Sequence, residues 1–217
     1  MRTITVKGIG RASAKPDYVQ ILINLETIYF DYEFAMKTAS KKIEQMNQYL
    51  AEVGFEKDSI KTTKFQVDTD YSSEKDAKGN YRKVFNGYRI RHNLKLAFDF
   101  DAERLSRALD QISRCNCEPQ LNIRFTVKDP SAISEQLLAS AAENARRTAE
   151  ILSSASGAKL GALQRIDYNW VEVDVYSRTE YDGIESCKCM SSEPCAIDFT
   201  PDDIETTDTA SFVWEIV

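Results

Sequence analysis

The chain has 217 residues, 42% of them apolar and 29% charged, with a formal net charge of −6 and a pI near 5.0. That length and apolar share suit one soluble domain, or two fused halves, with a substantial core. The acidic excess argues against nucleic acid as the main partner, because phosphate contacts need a basic surface.

Near the N-terminus Ile4 and Val6 alternate with Thr3, Thr5 and Lys7, and Gly8 and Gly10 then interrupt. This is the pattern of a strand with a bulge or a close backbone approach at its glycines. The strand pattern starts within three residues of Met1, with no basic start and apolar run of a signal peptide, and no window is apolar enough for a membrane span. The expectation is a cytoplasmic chain. After the turn Lys15-Pro16-Asp17, Val19, Ile21, Ile23, Leu25 and Thr27 keep a period of two, as one long half-buried strand does. The expectation is a hairpin between these two strands.

Asp31 is placed to cap a helix. Tyr32, Met36, Ala39, Ile43, Met46, Leu50 and Val53 then recur three and four apart, and Gly54 stops the run. Thr63, Phe65 and Val67 open the next strand. Residues 68–82 are polar and contain Gly79-Asn80, which reads as a long hairpin loop. Tyr88, Ile90, His92, Leu94, Leu96 and Phe98 form an apolar strand face, opposed by Arg89, Arg91 and Lys95.

Ala102, Leu105, Leu109 and Ile112 mark a second helix, capped by Asp99 or Asp101. Leu121, Ile123, Phe125 and Val127 mark a further strand. Asp129-Pro130 opens a third helix, with Asp as cap and Pro in the first turn. Its stripe is Leu137, Ala141, Ala145, Thr148 and Leu152, ending at Gly157, and its many alanines suit close packing. Ile166, Tyr168 and Trp170, then Val171, Val173 and Val175, read as a strand with a phase change near Trp170, as a β-bulge gives. Residues 176–203 read as irregular, and Phe212, Trp214 and Ile216 as a last strand. The order is β-β-α-β-β-α-β-α-β-β, an α+β class with antiparallel or mixed sheets and helices packed on them. The expected organisation is a single domain over 1–217, with two sub-halves near 1–115 and 116–217. The strand–strand–helix opening also repeats over 1–57 and 58–115.

The candidate chemistry is sparse. His92, the only histidine, falls between Ile90 and Leu94 on an apolar face, where a structural histidine is expected before a catalytic base. Glu172 with Asp174, and Asp202-Asp203, sit where solvated charge is ordinary. Gly8-Ile9-Gly10 lacks the third glycine and following helix of a dinucleotide fingerprint. The five cysteines are Cys115, Cys117, Cys187, Cys189 and Cys195. Two Cys-x-Cys pairs could offer thiolates to a metal, but structural zinc favours wider spacing. Plain loop cysteines lead that comparison, a disulfide or redox pair comes next, and metal last. Arg89, Arg91, Lys95, Arg124 and Lys128 form a candidate anion or partner surface if their strands are neighbours. A solvated sheet face is the competing account.

These segments together resemble the SIMPL domain family. The resemblance is carried by Ile4-Thr5-Val6-Lys7-Gly8-Ile9-Gly10 with Lys15-Pro16-Asp17, by Gly54 with Ile60-Lys61-Thr62, and by Asn86-Gly87-Tyr88. It continues through Phe125-Thr126-Val127-Lys128-Asp129 and closes with Pro201-Asp202-Asp203-Ile204. It implies an α+β fold, frequent self-association, no transferable catalytic residues and no cofactor. Many bacterial members resemble exported envelope proteins; this chain departs from them at its start and in its cysteine-bearing loop. The expected function is a non-enzymatic structural or interaction protein, acting as a homo-oligomer or with a protein partner. The alternative is a small-ligand or metal-binding module built on the cysteine loops.

Overall fold

The computed structural model describes residues 2–75, 80–168, 174–182 and 199–217. Among these residues eight strands and three α-helices follow one another as β1 (Thr3–Ala14), β2 (Tyr18–Tyr29), α1 (Tyr32–Ala51), β3 (Ile60–Lys75), β4 (Tyr81–Asp99), α2 (Ala102–Arg114), β5 (Gln120–Thr126), α3 (Pro130–Ala155), β6 (Leu160–Tyr168), β7 (Tyr176–Asp182) and β8 (Ile204–Ile216). This is an α+β fold in which β1 and β6 pair antiparallel with β8, and β2 and β3 antiparallel with β4. The chain gathers into two compact units, neither continuous in sequence.

The first unit comprises Met1–Asp17, Thr126–Arg178 and Pro201–Val217. Its sheet has the order β1-β8-β6. The expected hairpin of the first two strands does not form. β1 instead pairs antiparallel with β8 along its whole length, from Thr3 opposite Glu215 to Ala14 opposite Ile204. α3 lies against β1, and small residues make this approach possible. A Cβ on Gly8 would come within 2.2 Å of the Ala141 carbonyl oxygen, and one on Gly10 within 2.0 Å of that of Leu137. Asn144 Oδ1 and Ser140 Oγ accept the Ile9 and Arg11 backbone N–H groups at 3.0 and 3.1 Å. These bonds satisfy donors on an edge strand that would otherwise invite another strand. The buried stripe of α3 is Ile133, Leu137, Ala141, Ala145, Ala149 and Ser153. It steps by four throughout, so Thr148 and Leu152 of the expected stripe lie off it. The Asp129 cap and Pro130 start hold as expected.

The second unit comprises Tyr18–Phe125 and Thr179–Thr200. It holds the sheet β3-β4-β2-β5-β7. Antiparallel register places Ile21 opposite Leu96, Ile23 opposite Leu94 and Leu25 opposite His92. Directly opposed residues share a face, so the period-two residues of β2 and β4 make one apolar surface. Met46 and Leu50 of α1, and Leu105, Leu109 and Ile112 of α2, pack with it in one core. Asp31 caps α1 through Phe34 N at 2.8 Å, and Asp101, not Asp99, caps α2 through Arg104 N at 2.6 Å. The buried stripe of α1 begins at Ala35, and Tyr32 stays exposed.

Three sequence expectations are corrected. The polar stretch 68–82 is not a loop through its length, because β3 runs to Lys75 and β4 starts at Tyr81. An arm wetted on both faces needs no apolar alternation; ladder hydrogen bonds and cross-strand pairs such as Arg82–Glu74 at 3.6 Å form it. Residues 176–203 are not wholly irregular, since 176–182 form β7. Of the strand expected over 166–175, Ile166 and Tyr168 lie in β6, and Val175 is buried outside any strand. Its phase change at Trp170 falls outside the described residues.

Candidate interaction surface

The residues where β2 meets α1 read Tyr29-Phe30-Asp31-Tyr32-Glu33-Phe34. The Asp31 cap turns the chain sharply, so four aromatic side chains emerge within one turn. A second group arrives from β3 and β4. There the register slips between Asp70, opposite Gly87, and Tyr71, opposite Phe85, leaving Asn86 as the extra residue of a bulge. A bulge re-aims the side chains beside it. Asn86 bonds across to Asp70 at 3.1 Å and accepts from Ser72 at 3.0 Å. Gly87 has φ +136, and a Cβ there would meet the Tyr29 carbonyl oxygen at 2.3 Å. Only glycine lets β4 come this close to the end of β2.

The two groups mesh into one cluster. Ring centroids lie 4.7 Å apart for Tyr29–Phe34, 5.3 Å for Phe30–Phe85, 5.4 Å for Tyr32–Tyr88, and 5.5 Å for both Tyr71–Phe85 and Phe85–Tyr88. All are edge-to-face, the geometry that ring quadrupoles favour. Yet the cluster is not a core: Tyr29, Phe30, Tyr32, Phe34 and Tyr71 are 42%, 72%, 48%, 51% and 54% exposed. A contiguous exposed aromatic patch is the usual mark of a surface that another molecule covers.

Beside it, the outward face of the same sheet carries an ion network. Arg89 Nε and Nη2 reach Asp70 Oδ1 at 3.1 and 2.6 Å, and Arg89 also pairs with Glu26. Arg91 contacts Asp68 at 3.1 Å and Glu26 at 3.5 Å. The Arg89 hydrogen bond, with a second from Asn86, holds the Asp70 carboxyl below the usual carboxylate range. Asp70 in turn raises Arg89 further above its ordinary value. Two guanidinium groups thus face three carboxylates, a balance of charge that gives this face little net pull on an anion.

The other sequence candidates are placed as follows. Lys95 lies farther along β4 on the same face, opposite Leu22 and Lys61. Arg124 of β5 bonds Asn122 at 3.2 Å, and Lys128 falls in the first unit, its backbone N–H donating to Asp17 at 2.7 Å. His92 is buried on the inner face, with Nε2 2.8 Å from Thr62 Oγ1 and its ring edge-on to Phe65 at 5.0 Å. Its Nδ1 has no partner among the described residues, and burial lowers its pKa. Among the described residues no carboxylate is hydrogen-bonded to the ring. Gly8 and Gly10 serve helix packing. Asp202 and Asp203 are exposed ahead of β8, as is Asp174, while Glu172 lies outside the described residues. Cys115 and Cys117 are buried thiols in the second unit's core. Cys187, Cys189 and Cys195 lie outside the described residues, and no group of three metal-ligating side chains forms among those described. No helix among the described residues is long and apolar enough to cross a membrane.

Sequence reasoning missed the aromatic patch. Its signal was available: Phe30 and Phe34 fall out of phase with both the β2 alternation and the α1 stripe.

A family model described as SIMPL, protein of unknown function, matches residues 4–214. No curated protein matches the chain. Among solved structures, the regulatory subunit of aspartate kinase from Thermus flavus aligns over 97% of this chain and 89% of that one. It does so at 11% identity with a TM-score of 0.16, too low to carry an argument.

Proposed function

Starting from the fact that the chain belongs to the SIMPL family, whose function is unknown, we propose that it is a non-enzymatic interaction protein that self-associates through the aromatic patch at the β2–α1 junction. The carrying observation is that Tyr29 and Phe34 pack on each other, and Phe30, Tyr32 and Tyr71 pack on Phe85 or Tyr88, while all five stay open to solvent. Aromatic side chains supply large contact area at small entropic cost, and they dominate interface energetics. The neighbouring Glu26–Arg89–Asp70 network supplies the polar rim, with both signs of charge present for a second copy to match.

The test is light scattering across a concentration series, on the wild type and on Phe30→Ser with Phe34→Ser. Removing two rings from an interface core weakens association by about 2.7 kcal/mol, roughly a hundredfold in Kd. Both side chains are exposed in the free chain, so the thermal midpoint stays within a few degrees. A wild type that remains monomeric at high concentration overturns self-association. An assembly that the double substitution leaves intact removes this patch as its interface.

A further inference from the structure

The loop that follows α2 carries a thiol pair that the aromatic patch does not use. Cys115 is the C-terminal cap residue of α2, and its N–H bonds to the Ile112 carbonyl at 3.3 Å. The next residues turn left-handed, with φ of 51° at Asn116 and 50° at Glu118. Two non-glycine residues in that region, one after the other along a short loop, hold a costly conformation. Its effect is to fold Cys117 back onto Cys115: the Cys117 thiol lies 3.1 Å from the Cys115 carbonyl oxygen. It also reaches the Lys42 carbonyl oxygen at 3.4 Å on α1. Both cysteines are 1% exposed, but Asn116 and Glu118, their immediate neighbours, are exposed. The pair therefore lies one residue beneath the surface.

The surroundings favour charge on Cys115: the Cys117 thiol and the backbone N–H groups of Cys117 and Cys115 all act to lower its pKa. These donors offset both burial and the negative end of α2, which disfavour a thiolate. The Cys115 thiol is lowered to about 7, with the Lys42 charge contributing. Cys117 is pushed upward by its bond to Cys115 and by burial, so it keeps its proton. The two thiols of the pair thus differ in acidity, with Cys115 the readier to ionise.

We propose that Cys115 and Cys117 are an oxidisable dithiol that a small hydroperoxide converts to an intramolecular disulfide. In the first step the Cys115 thiolate attacks one peroxide oxygen. The O–O bond breaks, an S–O bond forms, and hydroxide leaves; the product is the Cys115 sulfenic acid. In the second step the Cys117 sulfur attacks the Cys115 sulfur. The S–O bond breaks, the S–S bond forms, and the Cys117 proton leaves with the hydroxyl as water. The two sulfurs are oxidised and the peroxide is reduced. An external dithiol reverses the change by exchange. Because the pair is covered, the oxidant is water-sized and enters by local opening of the 115–119 loop, whose strained residues make that opening less costly.

Trypsin cleaves after Arg114 and Arg124, so both cysteines fall in one peptide, 115–124, and an internal disulfide appears there as the loss of two hydrogens. The folded protein carrying Cys187→Ser, Cys189→Ser and Cys195→Ser is treated with hydrogen peroxide, alkylated and mapped without reduction. The same peptide from wild-type protein serves if that variant does not fold. The expected result is loss of two hydrogens in 115–124, restored by dithiothreitol. With Cys117→Ser added, the reaction stops at a sulfenic acid that dimedone captures on Cys115. Two results overturn the proposal: a pair that stays reduced in the folded protein and oxidises only in denaturant, or separate sulfinic acids with no disulfide.

Discussion

Single residues in this protein are legible in the sequence when one face decides them. His92 is the clearest case. Its place between Ile90 and Leu94 in a period-two run puts it on the buried face, and it is there. What the run does not contain is its partner, because Thr62 reaches it across the β3–β4 register. The consequence is a pH dependence of stability. Burial lowers the pKa of His92 from its ordinary 6.5, so the folded protein holds the ring neutral. The unfolded chain takes up the proton first as pH falls. The contribution of His92 is therefore fully present above about pH 6.5 and is lost as pH drops toward the lower folded value. Urea unfolding at pH 7.5 and at successively lower pH should show wild-type stability falling below that of His92→Leu, which has no such proton to bind. The difference between the two proteins should steepen by at most about 1.4 kcal/mol per pH unit, the limit for one proton. Parallel pH profiles would remove the effect. Cys115 and Cys117 show the other side of legibility. Their spacing is in the sequence, but the left-handed turn at Asn116 that folds Cys117 back onto the Cys115 carbonyl is not something asparagine requires.

Among the elements, those with one dry face were readable and those with two wet faces were not. β2 and the inner part of β4 alternate strictly because one side packs on α1 and α2. The β3–β4 arm beyond Asp70 has no dry side, and its polar residues read as loop. The Asn86 bulge is equally invisible, since nothing marks it until Tyr71 is found opposite Phe85. The pairing of β1 with α3 lies between these extremes. The glycines of β1 and the alanines of α3 each signal close approach, but only the structure shows that they approach each other. Gly8→Ala tests this contact. Its Cβ would lie 2.2 Å from the Ala141 carbonyl oxygen and 2.8 Å from the Ala145 Cβ, so α3 must move away bodily. Neither obstacle is a flexible side-chain tip that could swing aside. The expected loss is about 3 kcal/mol, the upper end for overpacking, read as a lower urea midpoint. Gly54→Ala is the contrast: its added Cβ meets nothing within 4 Å, so its cost is confined to the positive φ of 84°. A Gly8→Ala protein as stable as wild type would mean that β1 and α3 are not packed this closely.

The whole chain is organised by contacts that span it. β8 sits between β1 and β6, so the sheet of the first unit depends on residues from both ends of the sequence. No local pattern announces this. Period-two alternation says that Ile4 to Val6 and Phe212 to Trp214 are strands, and it is silent about their being partners. Bringing them together closes a loop of nearly the entire chain, whose entropic cost grows slowly with length but must be met before the ladder forms. The core of the second unit, by contrast, is drawn from a continuous stretch between Val19 and Phe125, with Tyr181 and Phe199 packed at its margin. Deleting residues 204–217 separates the two dependencies. β1 and β6 lose their shared neighbour, and Phe212 and Trp214 leave the core they form with Val6, Ala145 and Ala149. Hydrogen exchange should then show lost protection in α3 and β1, while amides of Ile21, Ile23, Leu94 and Leu96 keep theirs. The aromatic patch belongs to the retained part, so the truncated chain should still self-associate by light scattering. If protection in β2 and β4 collapses together with that of α3, the two units unfold as one cooperative body. The long-range pairing of β1 with β8 would then support the interaction surface as well as its own sheet.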